Sequence, residues 1–446
     1  MALAAALVRS CSLRLISAKG SPALLGTPTV NELYQRRTIV TKEMLNLPDD
    51  HAARDPWPYQ EKSYSWFHAI YDRTKKRFNV NSKLITVEGN VGCDKSAVAK
   101  ELADCLGFYY IPEFKVEKLL VDRYGNDMRN YYHLFPKRFR FFDDEMFYKN
   151  PTSDMSAVMR DFIFQCRFDE MLNALAHILN TGQGVVMENC IYTDFVFANA
   201  MRAKNYIGPE YFKYYYYLRK KAMTELFFWP HLVLYLDTPV DVCMEKIKKE
   251  GNVSFFSTIL HMCFRLIKLI PLTSDIFRLL RHSKVLIYDW SEPGNIDTIV
   301  EDIEGIDFDF FEWHNGDVFE TWHAPKDEMD WTERRINITQ KYYPRLSTFD
   351  NVPKHEVGEL YINPRDLGHY VDAIKKEVLK SPYGYGFIRE RGDKVKGIFA
   401  CNRAWSRPKP WYDYYLREAW YDNVSTMESG IHPFGGCYNP DYLHGH

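Results

Sequence analysis

With 446 residues the chain has room for two or three domains, or for one large domain with extensions. Hydrophobic residues make up 46% and charged residues 26%, the balance of an ordinary soluble globular fold, and 57 basic side chains against 59 acidic ones give no charge-based reason to expect nucleic acid or anionic lipid as the main partner. Aromatic residues reach 16%, with 31 Tyr and 10 Trp, which suits contact surfaces as well as a core.

No acidic residue precedes Glu32, whereas Arg9, Arg14, Lys19, Arg36 and Arg37 are spread among Ala, Leu and Ser. This is the make-up of a mitochondrial transit peptide, which must form a basic amphipathic helix, and residues 1–37 are assigned to it. Residues 38–79 read as an N-terminal arm, with Pro48, Pro56 and Pro58 among charges, leading into helical periodicity from Tyr64 to Phe78. No run in the chain reaches the ~20 apolar residues of a membrane-spanning helix. The nine cysteines include no C-x-x-C pair, so neither a disulfide framework nor a zinc ribbon is indicated.

The stretch Leu84 to Lys100, LITVEGNVGCDKSAVAK, reads as strand, phosphate loop and helix. A phosphate loop is usually G-x-x-x-x-G-K-[ST]: the glycines let successive backbone N–H groups curl around phosphate oxygens, Lys adds charge and the hydroxyl reaches Mg²⁺. Gly89, Lys95 and Ser96 keep the spacing, but Asp94 replaces the second glycine. Its carboxylate would face the polyphosphate, and a left-handed backbone there costs Asp more than Gly. Cys93, inside the loop, reads as a small filler residue in preference to a reactive thiol.

Beyond the loop, a helix from Ser96 to Leu106 is stopped by Gly107, and Phe108 to Ile111 forms a second strand. Lys115 to Pro151 is irregular and rich in Tyr, Phe and Arg. A long helix, Ser156 to Leu179, ends at Thr181-Gly-Gln-Gly184, and Val185 to Met187 is a buried strand closing on Glu188. Helices at Asp194–Ala203 and Tyr211–Phe228, a strand at His231–Leu236, a helix at Pro239–Lys249 and a strand at Lys284–Tyr288 complete an alternating α/β order, which implies a parallel sheet covered on both faces. Asp237, after a strand, reads as a helix N-cap and not as a metal ligand. Phe255 to Leu272, without acids, is either an amphipathic docking helix or a buried one, and periodicity does not decide between them. Past about Phe310 the chain turns polar, aromatic and Pro-punctuated, with helices near Ile336 and from Asp366 to Leu379, and its tail aromatics would be costly left in water.

Val87-Glu-Gly-Asn-Val-Gly92 with Lys95-Ser96, Pro112-Glu113 after the second strand, Met187-Glu188, and Leu234-Tyr-Leu236 followed by Pro239 together resemble the deoxynucleoside kinases. Within that superfamily TGQGVVMEN at Thr181 to Asn189, Thr193-Asp-Phe-Val-Phe197 and the long C-terminal region resemble the kinase-like accessory subunits of mitochondrial respiratory complex I. The resemblance implies a P-loop NTPase-like parallel sheet flanked by helices over residues 80–310, with a C-terminal helical and aromatic extension over 311–446. It implies a nucleotide pocket, for ATP, ADP or a deoxynucleotide, formed by Gly89, Asn90, Gly92, Lys95, Ser96 and Arg167, with Ser96 meeting metal only as part of a Mg-nucleotide. FAD enters by family association alone.

Glu113 matches the acid that takes the sugar hydroxyl proton, and Glu188 matches the first residue of the family's E-R-S. Asn189 and Cys190 replace the arginine and serine, and Lys246-Ile-Lys-Lys-Glu-Gly251 stands where the family has an arginine-rich lid. Gln165 has the type of the base-reading glutamine, with Arg160 competing for its aligned position, and Arg167 matches an arginine on the base side. Phosphoryl transfer is mainly positioning and charge stabilisation, so these losses make Glu113 and Glu188 vestigial candidates only. The expected role is a non-catalytic accessory subunit on the matrix side of the inner mitochondrial membrane, peripheral to it, whose partners are other complex I subunits and not nucleic acid. The alternatives are a working mitochondrial deoxynucleoside kinase and a nucleotide-binding regulatory subunit without turnover.

Overall fold

The structure, a computed structural model, describes residues 39–42, 56–60, 64–90, 92–114, 127–142, 144–249, 281–292, 294–308, 318–350 and 356–373. The transit-peptide assignment, the 255–272 segment and the tail beyond 373 lie outside the described residues. The described elements are, in chain order, α1 (Trp66–Tyr71), β1 (Leu84–Gly89), α2 (Lys95–Leu106), β2 (Tyr109–Ile111), α3 (Asp144–Lys149), α4 (Met155–Thr181), β3 (Val185–Glu188), α5 (Phe195–Ala203), α6 (Pro209–Leu226), β4 (Leu232–Asp237), α7 (Val240–Lys249), β5 (Lys284–Asp289), α8 (Ile296–Glu304), α9 (Glu320–His323), α10 (Glu328–Gln340), α11 (Tyr342–Arg345) and α12 (Pro364–Ala373).

The five strands form one parallel sheet in the order β2-β3-β1-β4-β5. Strands buried on both faces read as continuous apolar runs. That is why LITV and LVL, at the centre, are fully enclosed. One face packs on α2 and α8, where Ile85, Val87, Val98, Leu102, Leu234 and Ile299 meet; the other packs on α4 through Leu84, Val185, Phe168 and Leu175. The 27-residue α4 is buried nearly all round, which a helix with apolar residues on every face requires. It stops at Gly182 (φ 77°), where a Cβ would lie 1.9 Å from the Arg77 carbonyl oxygen, so no other residue fits that turn.

The expected helix from Tyr64 to Phe78 is instead the single short α1 followed by a 3₁₀ turn at Lys75–Arg77. The break at Asp72 has a tertiary cause. Arg335 of α10, fully buried, donates to the Asp72 carboxylate (2.7 Å) and carbonyl (3.2 Å), donates to Asn180 of α4 (2.8 Å), and lies 3.7 Å from the Tyr64 ring centroid. Arg77 holds the same carboxylate at 2.6 Å. The early part of the C-terminal region thereby shares the main core: Trp331, Ile338, Phe349 and Val357 belong to the α4 cluster, and Tyr370 stacks 4.3 Å from Phe139. Asp237 ends β4 while α7 begins at Val240, so Asp237 stands short of the capping position expected for it.

Arg335→Met leaves the Asp72 carboxylate paired with Arg77 and its carbonyl bonded to Tyr64, but strips the buried Asn180 Oδ1 of its donor, and a buried acceptor left unpaired costs about 1–3 kcal/mol. Urea-unfolding stability is expected to fall by about that amount, and a loss near zero would contradict the assigned role of this clamp.

Candidate functional site

The residues singled out from sequence converge at the C-terminal edge of the sheet. Gly89 ends β1, Glu188 ends β3, Glu113 follows β2, and Lys95 and Ser96 open α2. Open α/β sheets bind their ligands at this edge, because strand ends and helix N-termini meet there. In the described part of the loop Gly92 has φ 81° and Asn90 is buried. Asp94 does adopt the left-handed backbone, φ 58° and ψ 31°. Its carboxylate accepts from Lys246 on α7 at 2.5 Å, so acid and would-be lid lysine neutralise each other at the mouth of the loop. Cys93 is a filler, as the sequence suggests. It is fully buried, a Cβ on Gly89 would lie 2.7 Å from its Sγ, and burial pushes its thiol pKa up.

The two side chains that would meet phosphate or its metal both have internal partners. Lys95 Nζ donates to Asn189 Oδ1 at 3.0 Å and to the Gly89 carbonyl at 3.3 Å. Asn189 sits at φ 47°, a conformation Asn tolerates better than most residues. Replacing an arginine with asparagine at this position thus removes a cation and supplies an acceptor for the remaining one. The Ser96 hydroxyl donates to Glu188 Oε2 at 2.7 Å, and the Tyr110 hydroxyl donates to Glu188 Oε1. Glu188 therefore works here as a structural acceptor between α2 and β2.

Deeper in, Arg167 donates to Asp194 Oδ1 at 2.7 Å and to Glu113 at 3.2 Å. Arg160 pairs with the same Asp194, whose second oxygen accepts from Tyr215 at 2.7 Å. Burial works against the Asp194 charge, but Arg160 and Arg167 more than offset it and hold its pKa below the usual range. The same balance, burial against Arg167 and Lys95, lowers the pKa of Glu113. Gln165 donates through Nε2 to Asp161 at 3.0 Å, while its buried Oε1 has no hydrogen-bond partner among the described residues.

Three residues of this cluster were not singled out from sequence. Asp194 read only as a helix start, although two arginines one heptad apart on α4 call for a buried acid. Glu88, beneath the loop, accepts from the Cys190 N–H at 2.7 Å, and burial raises its pKa. Glu170, one helical turn past Arg167, is raised to about 8, first by burial and then by Glu113, Asp169 and Glu188 despite Arg167. Burial favours the neutral forms of Glu88 and Glu170, so Glu113, Glu188 and Asp194 face Lys95, Arg160 and Arg167, and each of these cations already has an internal partner. Among the described residues no cluster of His, Cys, Asp and Glu is arranged to hold a metal ion, and no helix is long and apolar enough to cross a membrane.

The deoxynucleoside kinase family model matches residues 85–262. NADH dehydrogenase (ubiquinone) 1 alpha subcomplex subunit 10, mitochondrial, of Bos taurus is 32% identical over 341 residues, covering 73% of this chain and 90% of that protein. Its counterpart in Mus musculus is 28% identical over 333 residues, covering 72% and 86%. Deoxyguanosine kinase of Dictyostelium discoideum is 26% identical over 242 residues, covering 53% and 73%. Among solved structures, deoxyadenosine kinase from M. mycoides with bound dCTP aligns at 15% identity and a TM-score of 0.37 over 50% of this chain and 100% of that one.

A carboxyl whose folded-state pKa rises from 4.5 to about 8 adds stability that is complete below 4.5 and is lost as pH climbs through about 8. Glu170→Gln removes that dependence. Melting curves of the variant and the unsubstituted protein are expected to differ by a margin that shifts in favour of the variant as pH rises from 5 to 8.5. A margin independent of pH would contradict the raised pKa.

Proposed function

The chain belongs to the NADH dehydrogenase (ubiquinone) 1 alpha subcomplex subunit 10 family, and from that premise we propose that it is an accessory subunit of mitochondrial respiratory complex I whose kinase-type fold packs and does not catalyse. Its partners in this reading are other subunits of the complex, and its place is the matrix side of the inner membrane, peripheral to the bilayer. The observation that carries the proposal is the occupation of Lys95 by Asn189 and of Ser96 by Glu188. A phosphoryl group arriving at the loop would have to displace both contacts, beside the carboxylates of Asp94 and Glu188.

Magnitudes favour the same conclusion. Loss of one well-placed donor costs on the order of a hundredfold or more in rate. Here the strand-end arginine is Asn189, which is one such loss, and Asp94 adds a carboxylate to the loop where the family has glycine. Glu113 remains near Arg167, but a base without charge stabilisation on the phosphate gives little turnover. The buried polar network keeps a different value: it fixes α2, α4, β2 and β3 to one another, and so fixes the surface that neighbours would meet.

Two measurements test the proposal together. The chain is expected to co-migrate with the assembled complex on a native gel, and its depletion is expected to reduce assembled complex without changing deoxynucleotide pools. Radiolabel transfer from ATP to a deoxynucleoside panel is expected to stay at the level of a Lys95→Ala control, and Asp94→Gly alone is not expected to raise it. Product above that control, from a chain absent from the complex, would overturn the reading in favour of a kinase.

A further inference from the structure

Helix α1 reverses the usual arrangement of an amphipathic element. None of its residues is buried, and Trp66, Phe67, Ile70 and Tyr71 are 47%, 79%, 69% and 78% exposed. The pairs Trp66/Ile70 and Phe67/Tyr71 are each four residues apart, so they form one contiguous stripe. With aromatic side chains of 150–250 Å² each, the stripe exposes about 500 Å². That is near the upper end for the largest apolar patch on a monomer, and it would supply most of one side of a standard protein interface.

This exposed turn is held firmly at both ends. Before it, Tyr64 is fully buried and donates its hydroxyl to the Asp72 carbonyl at 2.6 Å, while Ser65 and His68 form a reciprocal cap. After it, Asp72 is gripped by Arg77 and Arg335, and the N–H groups of Thr74 and Lys75 donate to the Glu328 carboxylate. Buried ion pairs and a buried tyrosine therefore fix a helix whose apolar side chains stay largely exposed. The exposure is imposed by the surrounding structure, and fraying does not account for it.

The charges around the stripe identify the kind of surface that covers it. Arg73 and Lys76 are exposed immediately beyond the helix, while the Lys75 ammonium donates to the Lys326 carbonyl, so a complementary surface carries carboxylates beside its apolar part. Asp327 and Asp330 are exposed at the start of α10, on either side of the Glu328 that bonds this segment, and an anionic lipid surface would repel them. The mixed rim suits a protein better than a bilayer.

We propose that Trp66, Phe67, Ile70 and Tyr71 are a docking knob that seats in an apolar, carboxylate-rimmed groove of a different polypeptide. The proposal rests on the accessory-subunit reading and names the part of the chain that makes the attachment. Loss of these side chains then releases the chain from its assembly without unfolding it.

The test uses the full chain expressed in cells that lack it. The double substitution Phe67→Asp/Ile70→Asp is expected to reduce the fraction co-migrating with the complex on a native gel by tenfold or more, with the melting temperature of the purified chain unchanged. In parallel, a photo-reactive benzoylphenylalanine placed at position 70 is expected to cross-link, within the assembled complex, to one different polypeptide. Cross-linking to the chain's own residues 374–446, to a second copy or to lipid would overturn the proposal. So would sedimentation of the unsubstituted chain, but not the double variant, with vesicles of cardiolipin and phosphatidylcholine. If the unsubstituted chain itself fails to co-migrate, the accessory-subunit reading falls. If it co-migrates and the double variant does so equally, only the docking knob falls.

Discussion

A lysine at the mouth of a phosphate loop donates to the acceptors nearest to it, and in this chain those are Asn189 Oδ1 and the Gly89 carbonyl. The site depends on this constraint. Once the strand-end residue is an acceptor and not a cation, Lys95 donates to it and Ser96 donates to Glu188. Asp94 completes the change by pairing with Lys246 across the entrance. These side-chain hydrogen bonds tie the loop to the end of β3 and to α7.

The second layer of the site, Asp194 with Arg160, Arg167 and Tyr215, ties α4 to the segments after β3 and in the middle of α6. At the far end of α4, Asn180 is linked through Arg335 to Asp72, so the N-terminal arm, the central helix and α10 meet around one buried guanidinium. These two clusters make α4 the axis of the molecule. They also make the first part of the C-terminal region a component of the core, since Trp331, Ile338 and Phe349 pack on the same helix. A surface element such as α1 can then be held still at a distance from the sheet.

Much of this was legible in the residues. The strands show as apolar runs because parallel strands are buried on both faces, and α2 and α4 end where Gly107 and Gly182 take up left-handed backbone. The positions of Gly89, Lys95, Ser96, Glu113, Glu188 and Arg167 at one sheet edge follow from that order of elements. Local pattern could not reveal contacts made at long range. The Tyr64–Phe78 periodicity breaks because Asp72 is claimed by an arginine 263 residues away. The occupation of Lys95 depends on Asn189 turning left-handed at the end of β3, and the importance of Asp194 depends on two arginines reaching it from a neighbouring helix. In each case the missing information was which distant group completes a local valence.

The account stands on the claim that the cations of the loop are already spent on internal partners, and calorimetric titration of the purified chain with Mg·ATP measures this most directly. No saturable heat up to millimolar nucleotide is the expected result. Saturable binding in the micromolar range, lost in Lys95→Ala, would show that Lys95 is free to meet phosphate and would contradict the account.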